Sequence, residues 1–355
     1  MKYNNAGKTI QSCTSFIPLK YVRYMRLNRI RDYLRLGRIH SAVLAGLAPV
    51  CATIVLGISL PLSHYLELFL IGFLFHVYLF ILNEVQDVKI DKTSNDLKDK
   101  PLVDGSISIK SARAIVFSSA FIIILFSFVF FYDNALILII ISLIAFLLGW
   151  LYDSFGKKIP HADYSIALML FFVALYGPFS VTNNIPNLAY IIAAIAFIQV
   201  LFQNIVAGLK DVDHDFMAGG LSTPLRLGVR VEKERFIVSK RFIAYIFTLK
   251  TIHVSLILLP FVYNFIEYEP WQLFVVLLLI FFTVVFMARF LFIKMFQREK
   301  IMRAIGFHEM FIFMTIPIIL YGFIGYVATL FLLVLPVLWL GVFLVIMYGR
   351  LMPEI

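Results

Sequence analysis

Apolar and polar positions alternate along this chain in long blocks rather than residue by residue. Runs of about twenty mainly apolar residues recur at 41–60, 65–84, 111–131, 135–152, 164–181, 187–208, 242–264, 271–292, 307–324 and 328–348, each near the length an α-helix needs to cross a bilayer. The pattern predicts an all-α protein, a polytopic transmembrane helical bundle of ten spans. At Gly322 to Thr329 two short runs also fit one long tilted helix. Composition agrees with the blocks. With 61% hydrophobic and 15% charged residues over 355 positions, the chain is not an ordinary soluble domain, where charged residues make up about 25%.

The charge pattern sets the orientation. A formal net charge of +10 could suggest nucleic acid, but the basic residues sit in short segments between the apolar runs, so no nucleic-acid surface is expected. The turns Tyr132-Asp133-Asn134, Thr182-Asn183-Asn184 and Glu267-Tyr268-Glu269-Pro270, which follow odd-numbered spans, contain no lysine or arginine. The opposite loops hold nearly all of them, so the positive-inside rule places both termini on the cytoplasmic side. Residues 1–40 carry many lysines and arginines with Asp32 as the single acid. They are expected at the cytoplasmic membrane surface, with an amphipathic helix from about Tyr21 to Leu36. Cys13 and Cys51 are expected on different sides of the interface, so no disulfide or cysteine-ligated metal is predicted.

Two places break the apolar pattern abruptly. Asn83-Glu84-Val85-Gln86-Asp87-Val88-Lys89-Ile90-Asp91 ends the second run, and Asn83, Asp87 and Asp91 fall one helical turn apart on one face. Lys210-Asp211-Val212-Asp213-His214-Asp215 ends the sixth run, and Asp211 and Asp215 again share a face. Carboxylates at a helix end facing a bundle interior need neutralising, and a hard cation such as Mg²⁺ with its waters does this while recruiting phosphates. Opposed aspartate clusters are therefore suited to anchoring a diphosphate. By the positive-inside rule both clusters face the cytoplasm.

The residues around these clusters resemble the UbiA-type intramembrane prenyltransferase family. The first signature is Asn83-Glu84-x-x-Asp87-x-x-x-Asp91, followed by Lys100-Pro101-Leu102-x-x-Gly105-x-Ile107-Ser108. The second is Lys210-Asp211-x-x-x-Asp215-x-x-x-Gly219-x-x-x-Thr223-Pro224-x-x-x-Gly228. Gly149-Trp150-Leu151-Tyr152 with Lys157 and Lys158, and Leu34-Arg35-Leu36-Gly37-Arg38-Ile39-His40, extend the likeness. It implies a nine-helix core at 41–325, with 1–40 as a basic extension and 326–355 as an additional tenth helix and short tail. It also implies Mg²⁺-dependent transfer of a prenyl chain from a prenyl diphosphate donor to a hydrophobic or aromatic acceptor within the bilayer.

Carried over residue by residue, the resemblance gives Asn83, Asp87, Asp91, Asp211 and Asp215 as the metal and diphosphate shell, with Glu84 and Asp213 in support. Lys100, Lys157, Lys158 and Lys210 are candidate phosphate partners, movable point charges of the kind a phosphate accepts. Lys158 stands with the four aspartates among the expected catalytic residues. Arg38 and His40 are candidates to meet an anionic acceptor, and Tyr152, Phe75, Tyr78, Phe80 and Phe202 are aromatic faces near the polar sites that could shield an allylic cation. His76 and the His308-Glu309 pair are the other polar groups inside spans. Glu84 departs from the family's usual aspartate; about 100° off the Asn83-Asp87-Asp91 line, it is expected to reach the site through its longer chain or through water. The acceptor leans to an aromatic, quinone-precursor type, with an ether-lipid glycerol phosphate or other lipid next. An ion-coupled transporter or lipid-binding scaffold would place its charges near the bilayer midplane, whereas these cluster at helix ends. The Asp-Gly-x-x-Ala-Arg start of CDP-alcohol phosphotransferases does not occur.

Overall fold

The computed structural model describes residues 29–92, 97–156, 161–217 and 219–351. Helix α1 (Arg29–Leu36) meets a short 3₁₀ turn (Ile39–Ser41) and α2 (Ala42–Ile54) across a 54° bend. The expected interfacial helix from Tyr21 therefore lies within the described residues only from Arg29 onward, and Cys13 lies outside them. Then follow α3 (Leu62–Asp91), α4 (Ile109–Val129), α5 (Ala135–Phe155), α6 (Asp163–Phe179) and α7 (Asn187–Ala207). A polar segment holds α8 (Val212–Met217), α9 (Thr223–Arg226) and a two-stranded hairpin, β1 (Arg230–Glu232) with β2 (Arg235–Ile237). The chain ends with α10 (Lys240–Val262), α11 (Pro270–Leu291), α12 (Arg298–Phe313), α13 (Thr315–Ile319) and α14 (Tyr321–Tyr348).

Inside hydrocarbon a backbone must satisfy its own hydrogen bonds, which is why each apolar run closes into a helix. Polar residues set the ends. Ser108 and Ser239 each accept a bond from a first-turn N–H of α4 and α10, and Glu269 with Gln272 forms a reciprocal capping box on α11. Among the described residues eight helices are long and apolar enough to cross a membrane, nine when the bent pair Arg29–Leu36 and Ile39–Ile54 counts as one span. The 17-residue α6 is the shorter remaining one. All ten expected spans thus correspond to helices in the expected order, and the protein is an integral multi-pass membrane protein. The ambiguous stretch at Gly322 to Thr329 lies within α14, which starts at Tyr321 and kinks where Gly325 takes φ 69°, ψ −177°.

Sequential helices pack as neighbours from α2 through α7, then α10 to α12, and α12 returns to α7 while α2 touches α3, α6 and α7. Small residues permit the closest approaches. A Cβ on Gly72 of α3 would collide with the Ala45 carbonyl oxygen of α2. One buried cluster centres on α2, α3, α5 and α6, and a second on α7, α10 and α12. The hairpin, like the short α8 and α9 before it, lies outside the apolar runs and was not predicted by the periodicity. Phe236 N–H donates to the Lys294 carbonyl at 2.9 Å and Phe296 N–H to the Glu234 carbonyl at 2.8 Å, so the hairpin holds the segment that enters α12.

Candidate functional site

Helix α3 runs on past the second apolar block to Asp91, which keeps Asn83, Asp87 and Asp91 on one continuous helical face. Glu84, one position round, is buried at 5% exposure. It meets two cations. Arg38 Nη2 lies 2.9 Å from Glu84 Oε1 and Lys100 Nζ 3.0 Å from Glu84 Oε2, while the same ammonium stands 2.8 Å from Asp91 Oδ2. Of the two expected routes, its longer chain or a water, Glu84 meets these cations directly through its own chain. Its longer chain joins the turn before α2 to the loop after α3. Asp91, expected as a metal ligand, is bonded here to an ammonium.

The residues behind the first signature explain how Lys100 arrives there. Leu102 and Ile107 are buried at 3% and 2% exposure and plug the loop into the bundle. Gly105 turns it with φ 82°, a conformation that favours glycine, and Ile107 N–H donates to the Pro101 carbonyl at 3.0 Å. Arg35 Nη2 donates to the Asp99 carbonyl at 3.2 Å, tying the same loop to α1. Burial pulls the Lys100 ammonium down, but Glu84 and Asp91 outweigh it and hold its pKa above the ordinary 10.5.

Arg38 itself occupies the left-handed region at φ 46°, ψ 46°, a conformation that costs a non-glycine residue about 1–2 kcal/mol. The turn is fixed from several sides. The Arg38 carbonyl accepts from Ser41 N–H at 3.0 Å, Ser41 Oγ at 3.0 Å and His76 Nε2 at 3.2 Å, and the guanidinium lies 5.1 Å from the centre of the Phe80 ring. His76 is thereby absorbed into the support of this turn.

A polar relay that the sequence reading did not anticipate runs under the site. Asn83 Nδ2 donates to Asp153 Oδ1 at 3.1 Å, Tyr152 hydroxyl donates to Asn204 Oδ1 at 3.1 Å, and Asn204 Nδ2 donates to Asp163 Oδ1 at 2.6 Å. Thr223 Oγ1 then donates to Asp163 Oδ2 at 2.6 Å. Asp153 Oδ2 is buried with no hydrogen-bond partner. These side chains stitch α3, α5, α7, α6 and α9 together at one end of the bundle. Asn204 was legible as a polar residue two turns before Asp211, and Asp153 and Asp163 as acids flanking the loop between α5 and α6.

The second cluster is built differently. A 3₁₀ turn (Gly208–Asp211) leads into α8, so Asp211 precedes the short helix that bears Asp213 and Asp215. Arg298 grips both Asp213 oxygens at 2.9 and 2.8 Å and donates through Nε to the Lys210 carbonyl at 3.0 Å. Asp213, expected to support the metal, is thus held in an ion pair with α12, both its oxygens on the one nitrogen Nη2 of Arg298. Lys210 lies within electrostatic reach of Asp211, Arg38, Arg298 and Lys100, which brings the two signatures to one region. Lys157 and Lys158 lie outside the described residues.

The other candidates sort by contact. His40 turns its ring edge-on to Tyr348 at 6.1 Å, with Nδ1 buried and without a hydrogen-bond partner. Phe75 and Tyr78 pack on Phe146 of α5. Phe202 stacks on His308 at 4.7 Å, and His308 Nδ1 lies 2.9 Å from Glu309 Oε1, deep in the second buried cluster. Phe80 and Tyr152 are the aromatic candidates in contact with the site's polar groups.

Among the described residues no three His, Cys, Asp or Glu side chains stand close enough together to hold a metal unaided. The five expected ligands are therefore not a protein-only cage. The donor set still suits Mg²⁺, which keeps several waters and takes one or two carboxylates together with substrate phosphates.

The comparisons with known proteins agree with this architecture. The chain is 28% identical over 215 residues to the 4-hydroxybenzoate octaprenyltransferase of Francisella tularensis subsp. novicida, covering 58% of this chain and 73% of the relative. It is 26% identical over 230 residues to the digeranylgeranylglyceryl phosphate synthase of Thermococcus sibiricus, covering 64% and 77%. The structure of a UbiA homologue from Archaeoglobus fulgidus bound to GPP and Mg²⁺ superposes with a TM-score of 0.56 at 22% identity, covering 79% of this chain and 96% of that one. With the UbiA prenyltransferase family profile matching residues 42–288, across the buried carboxylates of α3 and the Asp211–Asp215 turn, the chain belongs to that family.

Proposed function

We propose that the protein is a Mg²⁺-dependent intramembrane prenyltransferase that moves a polyprenyl chain from a prenyl diphosphate to an aromatic, quinone-precursor acceptor, with its site at the cytoplasmic face. The observation that carries this reading is the convergence of Arg38, Lys100 and Lys210 with two acidic helix ends. Such a mixture of hard oxygen donors and cations matches a diphosphate held partly by metal and partly by ammonium and guanidinium groups. A transporter reading expects its charged groups near the bilayer midplane, whereas these carboxylates and cations stand at helix ends.

In this reading Asn83, Asp87 and Asp91 present oxygens from α3, and Asp211 and Asp215 present theirs from the opposite turn. Bound Mg²⁺ supplies Lewis-acid neutralisation of the diphosphate oxygens. Arg38, Lys100 and Lys210 oppose the charge that accumulates as the prenyl C–O bond breaks and its electron pair leaves with the diphosphate. Lys157 and Lys158 are assigned the same task from the loop after α5. Phe80 and Tyr152 offer aromatic faces to the allylic cation. The acceptor carbon then bonds to the cation and loses its proton, completing the substitution. Asp213 and Glu84 act by fixing Arg298, Arg38 and Lys100 rather than by ligating metal. The catalytic core is assigned to 41–325, with 1–40 and 326–355 as additions to it.

The relative from Thermococcus supports a second reading of the acceptor, a glycerol phosphate ether lipid. One experiment separates the two. Purified protein in lipid, given Mg²⁺ and prenyl diphosphates of graded length, is expected to release diphosphate with 4-hydroxybenzoate and to form a prenylated product visible by mass spectrometry. Product only with the glycerol phosphate ether reassigns the acceptor, and no diphosphate release with any pair sinks the enzyme.

A further inference from the structure

The final helix, α14, lies beyond the matched residues 42–288, and much of its surface is exposed at Val337, Leu338, Val342 and Ile346. A merely lipid-facing addition would carry no specific polar bond into the core. This helix carries one. Trp339 Nε1 donates to the Ile39 carbonyl at 2.7 Å across 300 positions of sequence, next to the left-handed Arg38. Its ring is seated edge-on against Phe69 and Phe73 of α3 at 5.9 and 6.3 Å, which leaves it little freedom to turn away.

One end of the helix touches the same segment again. The Tyr348 ring lies 5.7 Å from the Arg35 guanidinium and edge-on to His40 at 6.1 Å. Arg35 in turn holds the Asp99 carbonyl of the loop that delivers Lys100. The strained turn therefore has one carbonyl, that of Arg38, held by His76 from α3, and the next, that of Ile39, held by Trp339 from α14. Without the second, the Arg38 side chain would lose a constraint that keeps it over Phe80 and against Glu84.

We propose that α14 is a clamp on the active site, in which Trp339 and Tyr348 are positioning residues: Trp339 acts through the Ile39 carbonyl to set Arg38, and Tyr348 acts through Arg35 to set the Lys100 loop. The proposal rests on the prenyl-transfer reading only for its kinetic readout. Trp339→Phe keeps a ring between Phe69 and Phe73 but removes the N–H. It is expected to raise the KM for the prenyl diphosphate by about tenfold while kcat changes less, as follows from displacing a group that orients substrate. In an Arg38→Ala background the same substitution is expected to add almost nothing, because both changes act on one contact. Tyr348→Phe retains the ring and is expected to behave as wild type, whereas Tyr348→Leu is expected to raise KM. Leu338→Ala, on the exposed side, serves as the control for general loosening of the helix.

An equal effect of Trp339→Phe in both backgrounds, a wild-type KM in Trp339→Phe, or an identical loss in Leu338→Ala would overturn the clamp. A parallel arm needs no turnover: binding of inorganic pyrophosphate with Mg²⁺, followed by calorimetry, is expected to weaken in Trp339→Phe but not further when Arg38→Ala is already present. If the wild type transfers no prenyl group but this binding pattern holds, the transfer reading fails and the clamp stands. If the wild type transfers and the pattern is absent, the clamp fails alone.

Discussion

The two acidic helix ends look alike as strings of letters, and the fold treats them oppositely. At the end of α3 the carboxylates are sealed in: Glu84 is 5% exposed and Asp91 4%, and their cations are Lys100, nine residues past Asp91, and Arg38, 46 residues before Glu84. At the start of α8 the paired carboxylate is wetter. The Asp213 and Arg298 side chains are each 30% exposed, and the partner comes from α12, presented by a segment that the β1–β2 hairpin grips. The cations at the two ends are comparably exposed, Lys100 at 27% and Arg298 at 30%, and the difference lies in the acids: removing the cation from a buried carboxylate strands a charge in a poorly solvated place, whereas the open Asp213 pair loses little when broken. The first end is therefore a structural keystone as well as part of the site, and the second is an adjustable wall.

Substitutions can break or sharpen this contrast. The largest effect is expected where the two ends act together: Asp87→Ala and Asp215→Ala should each lower prenyl transfer by about 10²-fold or more, with the protein still in the membrane. Wild-type turnover in either variant would remove that cluster from the chemistry. Next, Lys100→Met should destabilise by about 3 kcal/mol, because it strands the buried Asp91 and leaves Glu84 with Arg38 alone, read as thermal unfolding in detergent. The parallel Arg298→Met should cost only about 1 kcal/mol, in keeping with its exposure. Equal losses would erase the distinction between the sealed and the open end.

Breaking the relay that joins the halves should act more gently. Asn204→Leu removes the donor to Asp163 and the acceptor of Tyr152, at about 1–3 kcal/mol for the polar groups left behind. An unchanged melting temperature would show that water replaces it. The smallest effect concerns pH. Because the folded pKa of Lys100 is raised above 10.5, its contribution is fully present below that value and is lost only as pH rises through the higher folded one. Stability measured from pH 7 to 10 should therefore show no loss attributable to Lys100, and a Lys100→Met variant should not lose the additional stability that wild type sheds above about pH 10.5.

Trp339 shows why some of this was hidden from the sequence. Within α14 it is one aromatic among many apolar residues, and its meaning lies in a carbonyl 300 positions earlier. Arg298 is similar: it reads as one more positive-inside residue until the hairpin swings it onto Asp213. Asp153 and Asp163 were visible as acids but not as a pair of acceptors, since their partners Asn83, Asn204 and Thr223 sit on three other elements. The loop residues Leu102, Gly105, Ile107 and Ser108 were the reverse case. In the sequence they stood only as part of the family signature, and the structure shows what they do locally: Leu102 and Ile107 plug the loop, Gly105 turns it and Ser108 caps α4.

By itself the sequence determined the ten apolar spans, the all-α membrane class, the two acidic stretches and the family signatures around them. The spans, the class and the acidic stretches follow from short-range physics: helix periodicity, the length of a bilayer crossing and the penalty for charge in hydrocarbon, whereas the signatures are legible by resemblance to a family. Only the tertiary structure decided which carboxylate faces which cation. That Glu84 binds Arg38 and Lys100, that Asp213 belongs to Arg298, and that the last helix reaches the Arg38 turn all depend on packing between elements distant in sequence. Coulombic and hydrogen-bond partners are chosen by proximity in space, and that proximity is set by how the helices pack.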